Sequence, residues 1–234
     1  MKTSAELIQE AKKNAALEAV KHVKDHFIVG LGSGTTVAFA IEALGKRAKE
    51  ENIKIMGIPS SYQTFQLAVQ HGIQITTLDE HPVIDITIDG ADQVTPELHL
   101  IKGMGAALLR EKIVATASKY NIIIVDESKR VKVLGENNQT VPIEILPFAL
   151  ALVERKIASL GGTSIIREGK GKLGPIITDN GNMIIDVNFG LIRKPKEMAF
   201  KVKNIPGVIE TGFFVDLTDL VYIATENKIE KLEK

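Results

Sequence analysis

The chain contains no cysteine and no tryptophan. Without thiols there is no disulfide framework and no thiolate nucleophile or thiolate metal ligand. Aromatics are sparse: three Tyr and eight Phe in 234 residues, few platforms for stacking single-stranded bases. Neither sign of charge is in excess, because Lys+Arg and Asp+Glu are 29 each. A nucleic-acid surface needs a basic excess or stripe, and none is visible. Any affinity for phosphate must therefore be local. No apolar run approaches the roughly 18 residues that a membrane span requires. The N-terminal segment mixes Lys, Glu and Ala at helical spacing, without the apolar core of a signal peptide. The expectation is a cytoplasmic protein that binds neither nucleic acid nor membrane.

What is present is ordinary in amount: 44% hydrophobic and 25% charged residues, as in soluble globular proteins. The length suits one large domain, or one large and one small. The first half alternates helical and strand patterns. Helices are expected over 5–23, 35–49, 62–71 and 105–120, and strands over 27–31, 53–58, 73–78, 83–88 and 122–125. That alternation predicts an α/β fold, an open, mostly parallel (Rossmann-like) sheet covered on both faces. The second half reads strand 141–146, helix 148–160, strand 164–167, strand 182–187, helix 195–203, strand 208–214. This βαββαβ order is that of a ferredoxin-like α+β domain. The apolar stretch Leu220–Thr225 has no partner in that unit, so it is expected to return to the first sheet. The smaller domain, 131–215, then becomes an insertion into a larger one, 1–130 plus 216–234. The charged tail from Glu226 to Lys234 either extends a last helix or frays.

Several loops combine residues suited to an anionic ligand. Gly30-Leu31-Gly32-Ser33-Gly34-Thr35-Thr36 follows a strand and opens a helix. Free N–H groups at a helix start, with hydroxyls around them, favour an anion. The spacing is neither G-x-G-x-x-G nor a Walker A loop, and the competing reading is a tight turn with Ser or Thr as helix cap. Ser60-Ser61 repeats the strand–hydroxyl–helix arrangement. In a parallel sheet both loops lie at the C-terminal edge, where ligands bind. Asp89-Gly90-Ala91-Asp92 ends the next strand, so two carboxylates can face one crevice, although Asp-Gly is also a common turn. Lys102-Gly103-Met104-Gly105 offers a cation for a phosphate or a developing oxyanion, or else an exposed lysine beside a turn. Glu111 is flanked at helical spacing by Ala107, Leu108, Val114 and Ala115. A carboxylate within such a stripe is costly unless paired, and desolvation favours its protonated form, which suits a general base near neutrality. The alternatives are an ion pair with Arg110 or Lys112, or simple exposure. Asp126-Glu127-Ser128-Lys129 places another lysine at the same sheet edge. The five histidines show no zinc spacing. Asp89 and Asp92 could hold Mg²⁺, though no further ligand cluster is evident.

Together these loops resemble ribose-5-phosphate isomerase, type A. The residues that carry the resemblance are Gly30–Thr36, Asp89–Asp92, Lys102–Ala107, Arg110-Glu111-Lys112, Asp126–Lys129, Thr178-Asp179-Asn180-Gly181-Asn182 and Ile205-Pro206-Gly207-Val208. Each motif is weak alone, but their order and spacing are specific. The resemblance implies interconversion of ribose 5-phosphate and ribulose 5-phosphate, without a metal or an organic cofactor, by a homodimer or homotetramer. It further implies that Ser33, Gly34, Thr35, Thr36, Asp89, Gly90, Ala91, Asp92, Lys102, Gly103, Met104, Gly105 and Lys129 contact the sugar phosphate. Glu111 matches the proton-transfer base. Asp89 and Asp92 would serve ring opening and hold hydroxyls, and Lys102 would meet the developing charge. Met104 stands where the family usually has a third glycine, and a side chain there could narrow the loop or shift its backbone. Other readings are a sugar-phosphate deaminase or coenzyme A transferase on a related sheet, or a regulator that senses a sugar phosphate. The regulator would carry an added DNA-binding segment, for which this chain shows no basic recognition helix.

Overall fold

The computed structural model describes residues 3–171, 173–225 and 228–234. In chain order the first elements are α1 (Ser4–Val20), β1 (Ile28–Leu31), α2 (Thr35–Glu50), β2 (Met56–Pro59), α3 (Tyr62–Gln70) and β3 (Gln74–Ile75). There follow β4 (Ile86–Asp89), β5 (Gln93–Val94), β6 (Leu100–Ile101), α4 (Leu108–Thr116), β7 (Asn121–Asp126) and β8 (Val141–Ile145). The rest are α5 (Leu150–Ser159), β9 (Thr163–Ile166), β10 (Met183–Asn188), α6 (Pro195–Lys203), β11 (Val208–Thr211), β12 (Phe213–Phe214), β13 (Leu220–Ala224) and β14 (Ile229–Glu233). They form two compact units. One comprises Met1–Ala91, Arg110–Arg130 and Leu217–Lys234; the other comprises Asp92–Leu109 and Val131–Asp216.

The first unit holds a seven-stranded sheet in the order β14-β13-β7-β4-β1-β2-β3. Every neighbouring pair is parallel except β13 and β14. Strands buried on both faces need continuous apolar runs, and Asn121–Asp126 and Leu220–Ala224 are buried along their whole lengths. In α2, Val37, Ala40, Ile41 and Leu44 are buried, the i, i+3, i+4, i+7 stripe of an amphipathic helix. That stripe packs with Ala15 and Ala19 of α1 and with Val29, Ile88, Ile122 and Ile124 of the sheet. The opposite face is covered around Ile28, Ile58, Ile84 and Val114.

As expected, Leu220–Ala224 returns to the first sheet, beside β7. The tail does otherwise than expected: Ile229–Glu233 is an antiparallel strand on β13, neither helix nor frayed end, while Glu226 and Asn227 lie outside the described residues. Its charged residues hid the strand. They lie on an edge, where Lys231 meets Glu233 at 2.7 Å and Glu230 meets Arg130 at 2.8 Å, and charge is a normal way to blunt an edge strand.

The second unit contains an antiparallel sheet in the order β11-β8-β10-β9, the ferredoxin-like arrangement. Its core joins Ile143, Ile145, Ile185 and Val187 to Val153 and Ile157 of α5 and Val202 of α6. A separate three-stranded sheet, β12-β6-β5, draws Asp92–Leu109 into this unit, where the sequence division runs unbroken to residue 130. The pairs Phe213↔Ile101 and Gln93↔Ile101 join strands of two residues, too short to display a period-two pattern.

Candidate active site

The topology of the first unit sets two of the candidate loops side by side. The chain lays down β1, β2 and β3 in one direction, then returns to place β4 on the other side of β1. Adjacent loops at such a reversal diverge and open a cleft at the C-terminal strand ends. The loop after β1 is Gly32-Ser33-Gly34, and the loop after β4 begins at Asp89-Gly90. The Ser33 hydroxyl lies 2.8 Å from that of Ser60, 2.7 Å from that of Ser61 and 3.2 Å from that of Thr64. Thr64 donates in turn to the Gly32 carbonyl at 2.7 Å. Buried Asp89 accepts at Oδ1 from the N–H groups of Ser33 (3.2 Å) and Gly90 (2.7 Å). Only glycine at position 32 allows this, since a Cβ there would lie 2.1 Å from Asp89 Oδ1.

The helix-cap reading of this loop fails. Gly34 is the N-cap of α2, and no side chain caps that helix. The first N–H groups of a 16-residue helix are thus left to an outside acceptor, with the positive end of its dipole. The space above Gly34 is open, with no heavy atom within 4 Å of an ideal Cβ. Lys12 of α1 adds a cation that sequence reading missed, its Nζ 3.2 Å from Thr35 Oγ1. Nothing local marks Lys12, which stands in a lysine-bearing helix 23 residues from Thr35.

Glu111 sits in the first turn of α4 and is 5% exposed. Simple exposure is thereby ruled out. Val114 and Ala115 beside it on the helix are also buried. A first-turn carboxylate faces the favourable end of the helix dipole, which offsets part of its desolvation. The guanidinium of Arg110 lies over the Tyr62 ring at 5.6 Å. Beyond β7, Asp126 accepts from the Ser128 N–H at 3.0 Å and from the Ser128 hydroxyl. This fixes a 3-10 turn that ends on half-buried Lys129. Because β7 pairs with β4, Lys129 leaves the same sheet edge as Asp89.

The second unit holds Asp92 and the lysine loop. Asp92 N–H donates to the Ile101 carbonyl at 2.8 Å, and Lys102 N–H to the Gly212 carbonyl at 2.9 Å. Asp92 Oδ2 accepts from the Met104 N–H at 3.1 Å. Asp89 thus accepts from the Ser33 and Gly90 N–H groups, and Asp92, three residues on, from the Met104 N–H. Lys102 is only 3% exposed, with Nζ 5.2 Å from the Phe214 ring centroid, a cation–π arrangement. The exposed-lysine reading is excluded. Gly103 has φ 104°, and a Cβ there would meet Leu108 at 2.7 Å, so the turn needs glycine. Met104 is half exposed. Its sulfur is 3.5 Å from Gln139 Nε2, so its side chain runs outward and its backbone N–H stays on Asp92. Ala106 holds φ 60°, a conformation that costs a non-glycine residue energy and recurs in functional loops. Among the described residues, no three His, Asp or Glu side chains gather to hold a metal ion.

Comparison with known proteins places the chain in a family. A family model described as ribose 5-phosphate isomerase A (phosphoriboisomerase A) matches residues 56–228. A protein of Methanothermobacter thermautotrophicus called ribose-5-phosphate isomerase A is 45% identical over 227 residues, 97% of this chain and 99% of that one. One of the same name from Pyrococcus horikoshii is 43% identical over 228 residues, with coverage of 97% and 99%. The solved ribose 5-phosphate isomerase A of Methanocaldococcus jannaschii superposes with a TM-score of 0.93 at 44% identity, covering 97% of this chain and 99% of that one. A D-ribose-5-phosphate isomerase solved in complex with phospho-erythronic acid gives 0.94 at 43% identity with the same coverage. Uncapped helix start, hydroxyl cluster, buried lysine and buried glutamate thus occur in a chain that belongs to the ribose 5-phosphate isomerase A family.

Proposed function

We propose that this chain interconverts D-ribose 5-phosphate and D-ribulose 5-phosphate in the cytoplasm, by moving a proton between C2 and C1 through an enediolate. The observation that carries this reading is Glu111, a carboxylate buried in the first turn of a helix. One such group can take the proton from one carbon and return it to the next on the same face, serving as base and then acid. The family match sets aside the deaminase, coenzyme A transferase and regulator readings.

The other residues take roles that their surroundings support. The uncapped start of α2, with Ser33, Gly34, Thr35, Thr36 and Lys12, suits the phosphate dianion, and Lys129 adds a cation at that edge. The solved relative that holds phospho-erythronic acid supports a phosphorylated ligand. Asp89 and Asp92, each held by backbone N–H groups, are assigned to ring opening and to the sugar hydroxyls; Gly90, Ala91, Gly103, Met104 and Gly105 are assigned to substrate contact. Lys102 supplies positive charge to the enediolate oxygen. Remote phosphate binding supplies energy that positions C1 and C2. Assembly as a homodimer or homotetramer fits the exposure of Phe148 (96%) and Phe200 (72%), since large exposed apolar groups mark association surfaces.

The direct test is turnover of ribose 5-phosphate by purified protein in excess EDTA. Ketose should form at an undiminished rate, and absence of product would sink the assignment. Loss of Lys12 tests the phosphate role. Lys12→Ala is expected to raise KM about tenfold, the worth of one charge-assisted hydrogen bond of ~1.5 kcal/mol, with a smaller fall in kcat. An unchanged KM would make Lys12 a surface residue.

A further inference from the structure

One side chain in the second unit makes contacts that the reaction scheme above does not use. Arg167, the residue that follows β9, donates from Nη1 to the Gly103 carbonyl at 2.9 Å and to the Met104 carbonyl at 3.0 Å. Its Nε donates to Asp186 Oδ2 at 2.7 Å, and its Nη2 pairs with Asp186 Oδ1. The pair is largely shielded, at 12% and 19% side-chain exposure. Nη2 also lies 3.8 Å from the Met104 sulfur. Asp186 is itself fixed in β10, which pairs with Pro142 on one side and Ile165 on the other.

The consequence is a loop held at four backbone groups. Lys102 N–H is held by Gly212 and Met104 N–H by Asp92. The two carbonyls that follow Lys102 are held by Arg167. Planar guanidinium forks place several donors at fixed angles, which an ammonium cannot do. The strand register around Arg167 does not depend on its side chain: Arg167 N–H donates to the Ile184 carbonyl at 2.9 Å through the backbone, and the core of the unit is built from other residues.

We infer that Arg167, clamped by Asp186, is a positioning residue that sets the Lys102–Met104 loop, and hence the Lys102 ammonium and the Asp92 carboxylate, for the isomerisation. This rests on the role assigned to Lys102. Arg167 touches the loop backbone and acts on the substrate only through that loop. Phosphate anchoring is assigned to other residues, Lys12, Ser33–Thr36 and Lys129, so the chemical step loses more than substrate affinity does. Displacing a reacting group by about 1 Å costs about 10²-fold in rate.

The test is a double-mutant cycle in the full chain. Arg167→Met and Arg167→Lys are made in the wild type and in a Lys102→Ala background, with folding checked by circular dichroism. In the wild type each should lower kcat by about 10- to 100-fold and shift KM by less than about threefold. In the Lys102→Ala background either substitution should cost little more, because residues that act as one unit are non-additive. Asp186→Asn, which keeps the side-chain shape, should give a smaller loss of the same kind, and it provides the readout where an Arg167 variant fails to fold. Wild-type kcat in the Arg167 and Asp186 variants, or an equal loss in both backgrounds, overturns the positioning role. Wild-type turnover by Lys102→Ala alone removes the role of Lys102, and the inference falls with it, whereas ketose formation under EDTA reports separately on the activity itself.

Discussion

Glu111→Gln should leave a folded protein that binds sugar phosphate but turns over at least about 10²- to 10⁴-fold more slowly, the range that a positioned general acid–base contributes. The amide keeps the shape of the carboxylate and loses its ability to accept and return a proton. Glu111 is 5% exposed, and a buried amide costs less desolvation than a buried carboxylate. The thermal midpoint should therefore stay level or rise, which separates loss of chemistry from loss of fold. Hydrogen exchange with solvent at the reacting carbon should disappear along with turnover. A variant within about fivefold of wild type would lie well below what general acid–base catalysis is worth and would remove Glu111 from the role.

Lys102→Ala carries the second large effect, a fall in kcat/KM of about 10²- to 10³-fold, the cost of removing one donor to a developing oxyanion. Truncating a lysine that is only 3% exposed also empties volume against Phe214, so stability should drop as well. Lys102→Met separates the two terms. It fills the volume without the charge, so it should recover stability and keep the catalytic loss. A fully active Lys102→Met would mean that packing, not charge, is what the site requires at this position.

Much of this was legible in the amino-acid order. The first sheet follows from long apolar runs such as Ile122–Val125 and from the strand–glycine–helix junction at Gly30–Thr36, signals carried by a few adjacent residues. The ferredoxin-like unit follows from the order of its elements, and the observed strand order β11-β8-β10-β9 is the one that order implies. Glu111 stood out because its helical neighbours are apolar, and its burial agrees. The β14 tail did not stand out, because charges on an edge strand leave no apolar period. The two-residue strands β5, β6 and β12 were invisible for want of length.

By itself, the sequence determined the fold class and the family, and it named the candidate reactive groups. Burial and periodicity act between neighbours in the chain, and the loop motifs are contiguous. Tertiary structure alone decided which networks those groups join. It gave Asp89 the Ser33 N–H, whose residue's hydroxyl meets those of Ser60, Ser61 and Thr64, and gave Asp92 the Met104 N–H. It brought Lys12 to Thr35 across 23 residues and Arg167 to Gly103 across 64. It turned Met104 outward. Such pairings depend on strand register and on a reversal in sheet order, and no local pattern of residue types encodes a distance that the chain closes only when it folds.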